Sequence, residues 1–215
     1  MSLERIIFIR PGETDWNRYG RWQGWVAAPL NAHGREQAQA LAKFIRNIGL
    51  SALYTSDLRR ALETAEILAA HLSRPPIPDR RLRERNIGAW QGLTLDEMRA
   101  WYPEEYRAMR ADSMNYQIES GESRAQVLRR VQEAFAEIVA SEQGETVGIL
   151  SHTTAIKVLL TQIVPGYDPY AVDIGNTSVT TLHRDAGGDW RLIADNDLSH
   201  LEGLPSQSVN EIEEG

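Results

Sequence analysis

The 215-residue chain contains no cysteine, which removes thiolate nucleophiles, thiolate metal sites and disulfides at one stroke. It also lacks any apolar run approaching the roughly 20 residues that a membrane-spanning helix needs. Basic residues are in deficit: Lys+Arg 23 against Asp+Glu 30 gives a formal net charge of -7. That balance argues against a general nucleic-acid or anionic-membrane surface, so any anion the chain binds has to meet a local positive pocket. The stretch Met1 to Arg10 has too short an apolar segment for the h-region of a secretory signal, and the expected location is the cytoplasm. What is present is ordinary for a globular protein, with 42% hydrophobic and 25% charged residues, which excludes collagen-like and low-complexity chains. A chain of this length buries roughly 70% of the surface its unfolded form exposes and needs no covalent or metal staple. One domain over about 1–205 is expected, followed by an acidic tail at 206–215 expected to be disordered.

Hydrophobic patterning predicts alternating strands and helices. Ile6-Ile7-Phe8-Ile9 has no polar alternation, as in a strand covered on both faces of a parallel sheet. After Pro11-Gly12 the chain shows no sustained period as far as Leu30 but carries Trp16, Trp22 and Trp25, which reads as a long functional loop. The three tryptophans are expected mainly to pack that loop onto the sheet. A helix is predicted from about His33 to Ile48, closed by Gly49. A strand at Ala52-Leu53-Tyr54 follows, then a helix capped by Ser56 or Asp57 and ended by Pro75, Pro76 and Pro78. Thr94-Leu95-Asp96-Glu97 has the spacing of a capping box and opens a short helix toward Trp101, stopped by Pro103. The segment from about Ala89 to Gly121 is expected to be an inserted helical cap. Further on come an amphipathic helix from Glu122 to Glu142, a strand at Val147-Leu150, a helix at Thr153-Ile163, and a strand pair Val179-Leu182 and Trp190-Ala194 around Gly187-Gly188. The order implies a three-layer α/β sandwich with a mostly parallel central sheet.

Ligands in open α/β sheets bind beyond the carboxyl ends of the strands. Three segments place polar groups there: Arg10 after the first strand, Ser56-Asp57 after the second, and Ser151-His152 after Val147-Leu150. This placement brings Arg10, His152 and, one turn into its helix, Arg60 toward one crevice. Two guanidiniums, an imidazole and a helix N-terminus are the parts of a phosphate pocket. Glu84 is the acid available to protonate a leaving oxygen. His33, His71, His183 and His200 have no metal-ligand spacing and are expected to be structural or exposed.

At these residues the sequence resembles the histidine phosphatase superfamily, which includes cofactor-dependent phosphoglycerate mutases and many phosphatases of small phosphate esters. The pieces are Ile9-Arg10-Pro11-Gly12-Glu13-Thr14 with Trp16-Asn17, Gln23-Gly24-Trp25 with Pro29-Leu30, and Ser56-Asp57-Leu58-Arg59-Arg60-Ala61 with Thr64-Ala65. Then come Glu84 with Gly88, Trp90-Gln91-Gly92-Leu93, Gly121-Glu122-Ser123 and Leu150-Ser151-His152. The resemblance implies a phosphoglycerate mutase-like fold, no metal or cofactor, and a phosphohistidine intermediate. It implies Arg10, Arg60 and His152 as phosphate contacts, Glu84 as proton donor, and Asn17 and Gln23 as loop residues contacting phosphate or substrate. The implied ligand is a small phosphorylated substrate or inorganic phosphate, with no nucleic acid or membrane partner, for a monomer or homodimer.

One position departs from the family's pattern. Its first motif is Arg-His-Gly, whose histidine accepts the phosphoryl group, and here that position is Pro11. A proline nitrogen within a chain is a tertiary amide, neither nucleophile nor base, and it carries no N-H. The fold tolerates a proline just past a strand end; the family's mechanism does not. The expectation is a phosphate-monoester protein of phosphatase rather than mutase type, inactive or crippled as written. The alternatives are a natural pseudoenzyme that binds a phosphorylated ligand or partner, and a cofactor-dependent phosphoglycerate mutase.

Overall fold

Alternate residues of the first strand belong to two different cores, which is why it shows no polar alternation. In β1 (Arg5–Ile9), Ile6 and Phe8 pack into one apolar cluster and Ile7 and Ile9 into another. The computed structural model describes residues 3–72 and 74–204; the acidic tail expected at 206–215 lies outside them. β1 pairs in parallel with β4 (Thr146–Leu150), which pairs in parallel with β2 (Ala52–Thr55). Beyond β2 a two-residue strand, β3 (Ile77–Pro78), extends the parallel part. On its other side β1 pairs antiparallel with β5 (Val179–Arg184), which turns back into β6 (Trp190–Asp197). The sheet order is therefore β3-β2-β4-β1-β5-β6.

Helices cover both faces. Leu41, Ala42 and Ile45 of α2 (Ala32–Ile45) and Ala61, Ala65 and Leu68 of α3 (Arg59–Leu72) share the cluster with Ile7 and Ile9. Val131, Phe135 and Ile138 of α6 (Arg124–Ser141) and Ile156, Leu159 and Leu160 of α7 (Thr153–Ile163) share the other. The result is the α/β sandwich with a mostly parallel sheet that the element order implies.

Between α3 and α6 lies a smaller core of Ile87, Trp90, Met98, Met109 and Ile118, to which α4 (Leu95–Trp101) contributes Met98 and α5 (Pro103–Ala111) contributes Met109. The stems of this segment are hydrogen bonded to each other, Ala89 N to Glu119 O at 3.1 Å and Glu122 N to Asn86 O at 2.7 Å. Gly88 (φ +45°) is the point of closest approach: a Cβ there would stand 1.9 Å from Glu119 O, so only glycine passes.

Several boundaries differ from the sequence reading. The helix predicted to reach Ile48 ends at Ile45, and Gly49 (φ +76°) turns the chain after it. Pro103 does not simply stop a helix; it occupies the first turn of α5, where its missing N-H costs nothing. Pro78 lies in an edge strand, where the same deficit breaks no interior ladder bond. A four-residue helix, α1 (Asp15–Arg18), interrupts the expected loop and is held by a Thr14–Asn17 capping box. Among the described residues no helix is long and apolar enough to cross a membrane.

Candidate active site

Three parallel strands end side by side, and the residue after each is drawn into register by its neighbour. Ser151 N donates to Ile9 O and Ser56 N to Leu150 O, both at 2.9 Å. Arg10 and His152 therefore leave the sheet together. Arg10 N donates to Ser178 O at 3.3 Å, and its guanidinium hydrogen bonds to Ile174 O. His152 is the extended N-cap residue of α7. Arg60, the second residue of α3, donates to Gly24 O at 3.0 Å and Val26 O at 3.3 Å, so it fastens the long loop as well as facing the crevice. Thr64, one turn later, donates to Arg60 O at 2.8 Å and accepts from Gly12 N at 3.1 Å.

Arg10, Pro11, Asn17, Gln23, Arg60, Glu84 and His152 all line one cavity of about 450 Å³. The sequence-predicted site residues are thus brought together by six separate chain segments. Arg10, Arg60 and His152 are only 8%, 4% and 3% exposed, which makes their electrostatics strong. Burial, then the charges of Arg60, Arg10 and Arg130, holds the His152 imidazole well below the ordinary histidine range, so it is neutral at pH 7. Its Nε2 has no hydrogen-bond partner among the described residues. Burial, opposed by the Glu84 carboxylate and reinforced by Arg10, lowers the Arg60 guanidinium to about 10, leaving it charged at neutral pH. Two buried cations and an unsatisfied imidazole are an arrangement that an oxyanion completes.

Glu84 is held by its neighbours. One carboxylate oxygen accepts Arg85 N at 2.6 Å and the other Thr154 N at 3.1 Å, while its backbone oxygen accepts Trp25 Nε1 at 2.7 Å and Arg130 Nη2 at 2.8 Å. Trp25 is clamped on its other side by Arg83, whose guanidinium lies 4.7 Å from the ring centroid and is paired with Asp57 at 2.6 Å. Pro11 brings only a carbonyl to polar chemistry; it accepts Thr177 N at 3.2 Å and Asn176 Nδ2 at 3.1 Å. Asn17 Oδ1 accepts Thr14 N at 3.1 Å within its own loop, so its amide nitrogen is the group available to a ligand.

Comparison with known proteins decides the family. The sequence profile of the histidine phosphatase superfamily (branch 1) matches residues 6–198. The chain belongs to the histidine phosphatase superfamily. Phosphoglycerate mutase-like protein 4 of Arabidopsis thaliana is 35% identical, over 94% of this chain and 89% of that protein. The metal-independent phosphoserine phosphatase of the same plant is 33% identical, over 94% of this chain and 85% of its own length. A mycobacterial glucosyl-3-phosphoglycerate phosphatase complexed with VO3 superposes with a TM-score of 0.81 at 34% identity, covering 90% of this chain and 98% of the other. A histidine-to-alanine variant of Entamoeba histolytica phosphoserine phosphatase, in complex with phosphoserine, gives a TM-score of 0.81 at 26% identity, covering 92% and 98%.

Other residues line the crevice of this histidine phosphatase superfamily member without having been singled out from sequence. Asn176 lies in the 164–178 segment, which has no periodicity to read, and Arg124 directly follows the Ser123 helix cap. Lys157 had a visible signal: it is the sole charge in the otherwise apolar or neutral helix α7, and it pairs with Asp173 at 3.7 Å. Trp22 lines the cavity, whereas Trp25 packs the loop. Among the remaining histidines, His33 is buried in α2 and His200 contacts Thr177 Oγ1 at 3.0 Å.

Proposed function

We propose that this chain binds small phosphate monoesters between Arg10, Arg60 and His152, and that Pro11 blocks phosphoryl transfer at the position where the family's pattern has its nucleophilic histidine. The observation that carries the reading is one cavity holding two buried guanidiniums, a neutral unsatisfied imidazole and a backbone-anchored carboxylate, next to a residue with no nucleophilic atom. The phosphoserine-bound histidine-to-alanine variant among the structural neighbours supports binding without turnover. The segment at about 89–121 acts as a cap that contributes Thr94, Leu95 and Asp96 to the cavity wall.

With histidine restored at position 11, its ring nitrogen attacks phosphorus as the ester P-O bond breaks, and the leaving oxygen takes a proton from Glu84. Water then attacks the phosphohistidine, giving its proton back to Glu84 and releasing phosphate. The decisive experiment is hydrolysis of 4-nitrophenyl phosphate by the chain as it stands and by Pro11→His, with inorganic phosphate affinity measured on both. The expected result is similar phosphate binding and turnover only in the variant. Nucleophile removal in a serine protease costs on the order of 10⁶ in turnover, which sets the scale. Equal rates in the two proteins overturn the reading and direct attention to His152 as the acceptor, where trapped phosphohistidine would be found.

A second reading, a natural pseudoenzyme that binds a phosphorylated ligand, is compatible with the anchoring of Glu84. Glu84 has a structural task independent of proton transfer, because it ties two backbone N-H groups. Its presence beside Pro11 therefore does not require catalysis to have been retained.

A further inference from the structure

A cation stands on the wall of the crevice with little to hold it there. Lys157 is the sole charge of α7. Its side chain is 17% exposed and lines the cavity of about 450 Å³. Among the described residues its ammonium meets one counter-ion, Asp173 Oδ1, at 3.7 Å, which is beyond hydrogen-bond length. Asp173 is itself 67% exposed. An ion pair this long and this open contributes little to stability, so the fold does not account for a lysine in a helix whose other residues are apolar or neutral. Thr153 and Thr154, one turn earlier on the same helix, line the cavity beside His152. The axial rise from Thr153 to Lys157 is about 6 Å, a span that a short carbon skeleton bridges between a phosphate and a second charged group. Asp173 lines the same cavity, so the wall one turn from the phosphate end offers a cation and an anion side by side.

Resting on the phosphate-pocket reading, we infer that the ligand is a compact phosphate monoester carrying both a carboxylate and an ammonium, and that Lys157 and Asp173 are the residues that select it. The phosphate sits at Arg10, Arg60 and His152, the carboxylate at Lys157 and the ammonium at Asp173. A carboxylate that comes to Lys157 alone is brought against Asp173, and the two repel. An ammonium on the same skeleton pairs with Asp173 and removes that repulsion. The wall then exchanges its own ion pair for two new ones, and its charge balance is kept. A simple alkyl ester makes neither contact and leaves the Lys157-Asp173 pair as it is.

Titration calorimetry on the full chain tests this directly. The probes are ethyl phosphate, O-phosphoethanolamine, 3-(phosphonooxy)propanoate and O-phosphoserine, which carry neither group, the ammonium, the carboxylate and both, with inorganic phosphate as competitor. O-phosphoserine is expected to bind about tenfold tighter than ethyl phosphate, a gain that shrinks at high salt, while each singly substituted ester stays within about threefold of ethyl phosphate. Lys157→Met should bring the ratio of O-phosphoserine to ethyl phosphate affinity close to unity. Asp173→Asn, at an exposed position, should act in opposite directions, weakening O-phosphoserine and tightening 3-(phosphonooxy)propanoate because the repulsion is gone. A general loss of packing would weaken both. Equal affinity for all four esters with phosphate still competing, or an unchanged ratio in Lys157→Met, overturns the inference and leaves the phosphate pocket standing. Failure of inorganic phosphate to bind or compete overturns both.

Discussion

The Glu84 carboxylate accepts the backbone N-H of Thr154, 70 residues away, at 3.1 Å. Thr154 stands at the start of α7, directly after the His152-Thr153 pair that opens it, so the site's acid and its imidazole are positioned by one helix end. Free N-H groups in a first helical turn welcome a carboxylate. The same helix end that favours an anionic ligand thus also fixes the group proposed to protonate its leaving oxygen.

Replacing that acid separates its two tasks. In a Pro11→His background, Glu84→Gln keeps an oxygen for one backbone N-H but has no proton to give. Turnover of an alkyl phosphate is expected to fall by roughly 10²–10⁴, the usual span for general acid catalysis. With 4-nitrophenyl phosphate, whose leaving group needs little protonation, the loss should be much smaller. Equal losses on both substrates would show that Glu84 acts only by holding α7.

Arg60 serves the pocket and the loop together, since its guanidinium donates to Gly24 O and Val26 O. A lysine offers a point charge without the fork that reaches both carbonyls. Arg60→Lys is expected to weaken inorganic phosphate by about 10- to 100-fold, the scale of a lost charge-assisted hydrogen bond. Calorimetric phosphate affinity of the variant within twofold of the parent would remove Arg60 from the anion site.

The loop after Pro11 is pinned by close backbone contact with α2. A Cβ on Gly34 would stand 2.1 Å from Glu13 O, and one on Gly12 would stand 2.4 Å from Gly34 O. Because the obstacles are backbone atoms, no side-chain rotation relieves them. Gly34→Ala is expected to cost about 1–3 kcal/mol, the range for overpacking a filled site, and to weaken phosphate binding by displacing Arg10 and Asn17. A denaturation midpoint equal to the parent's would show that the approach is looser than the structure has it.

How much of this was legible in sequence follows from what each residue's placement depends on. Arg10 and His152 could be placed because a short buried strand fixes the residue that follows it, and Arg60 because helical periodicity carries one turn reliably. Glu84 could be proposed only by type and resemblance, since the loop from Arg83 to Ile87 has no period. The anchoring of its carboxylate to Thr154 is a long-range contact that no local pattern encodes. A smaller cavity of about 220 Å³ beside the crevice was invisible for the same reason: its wall joins Trp22, Leu95, Tyr106 and Tyr170 from four separate segments. The stop of α4 ahead of Pro103 was legible, whereas the helix that Pro103 opens was not, because proline marks a helix start as well as a stop and the pattern alone did not resolve the following turn, Glu104-Glu105.

Stability is expected to depend on pH through His152. Its folded pKa is held well below 6.5, first by burial and then by Arg60, Arg10 and Arg130, whereas in the unfolded chain it titrates near 6.5. Below that pH the unfolded state carries a proton that the folded state does not, so stability rises with pH up to about 6.5 and is lost as pH falls beneath it. One such group gives a slope of at most about 1.4 kcal/mol per pH unit. His200, also lowered chiefly by burial, adds to the slope in the same direction. His152→Asn should therefore remove part of the acid sensitivity in denaturant melts between pH 7 and 5, not all of it. Saturating phosphate should flatten the parent's slope too, because an anion beside the imidazole favours its protonated form and lifts the folded pKa toward the unfolded one. A parent slope that phosphate leaves unchanged would mean that the bound anion does not reach His152.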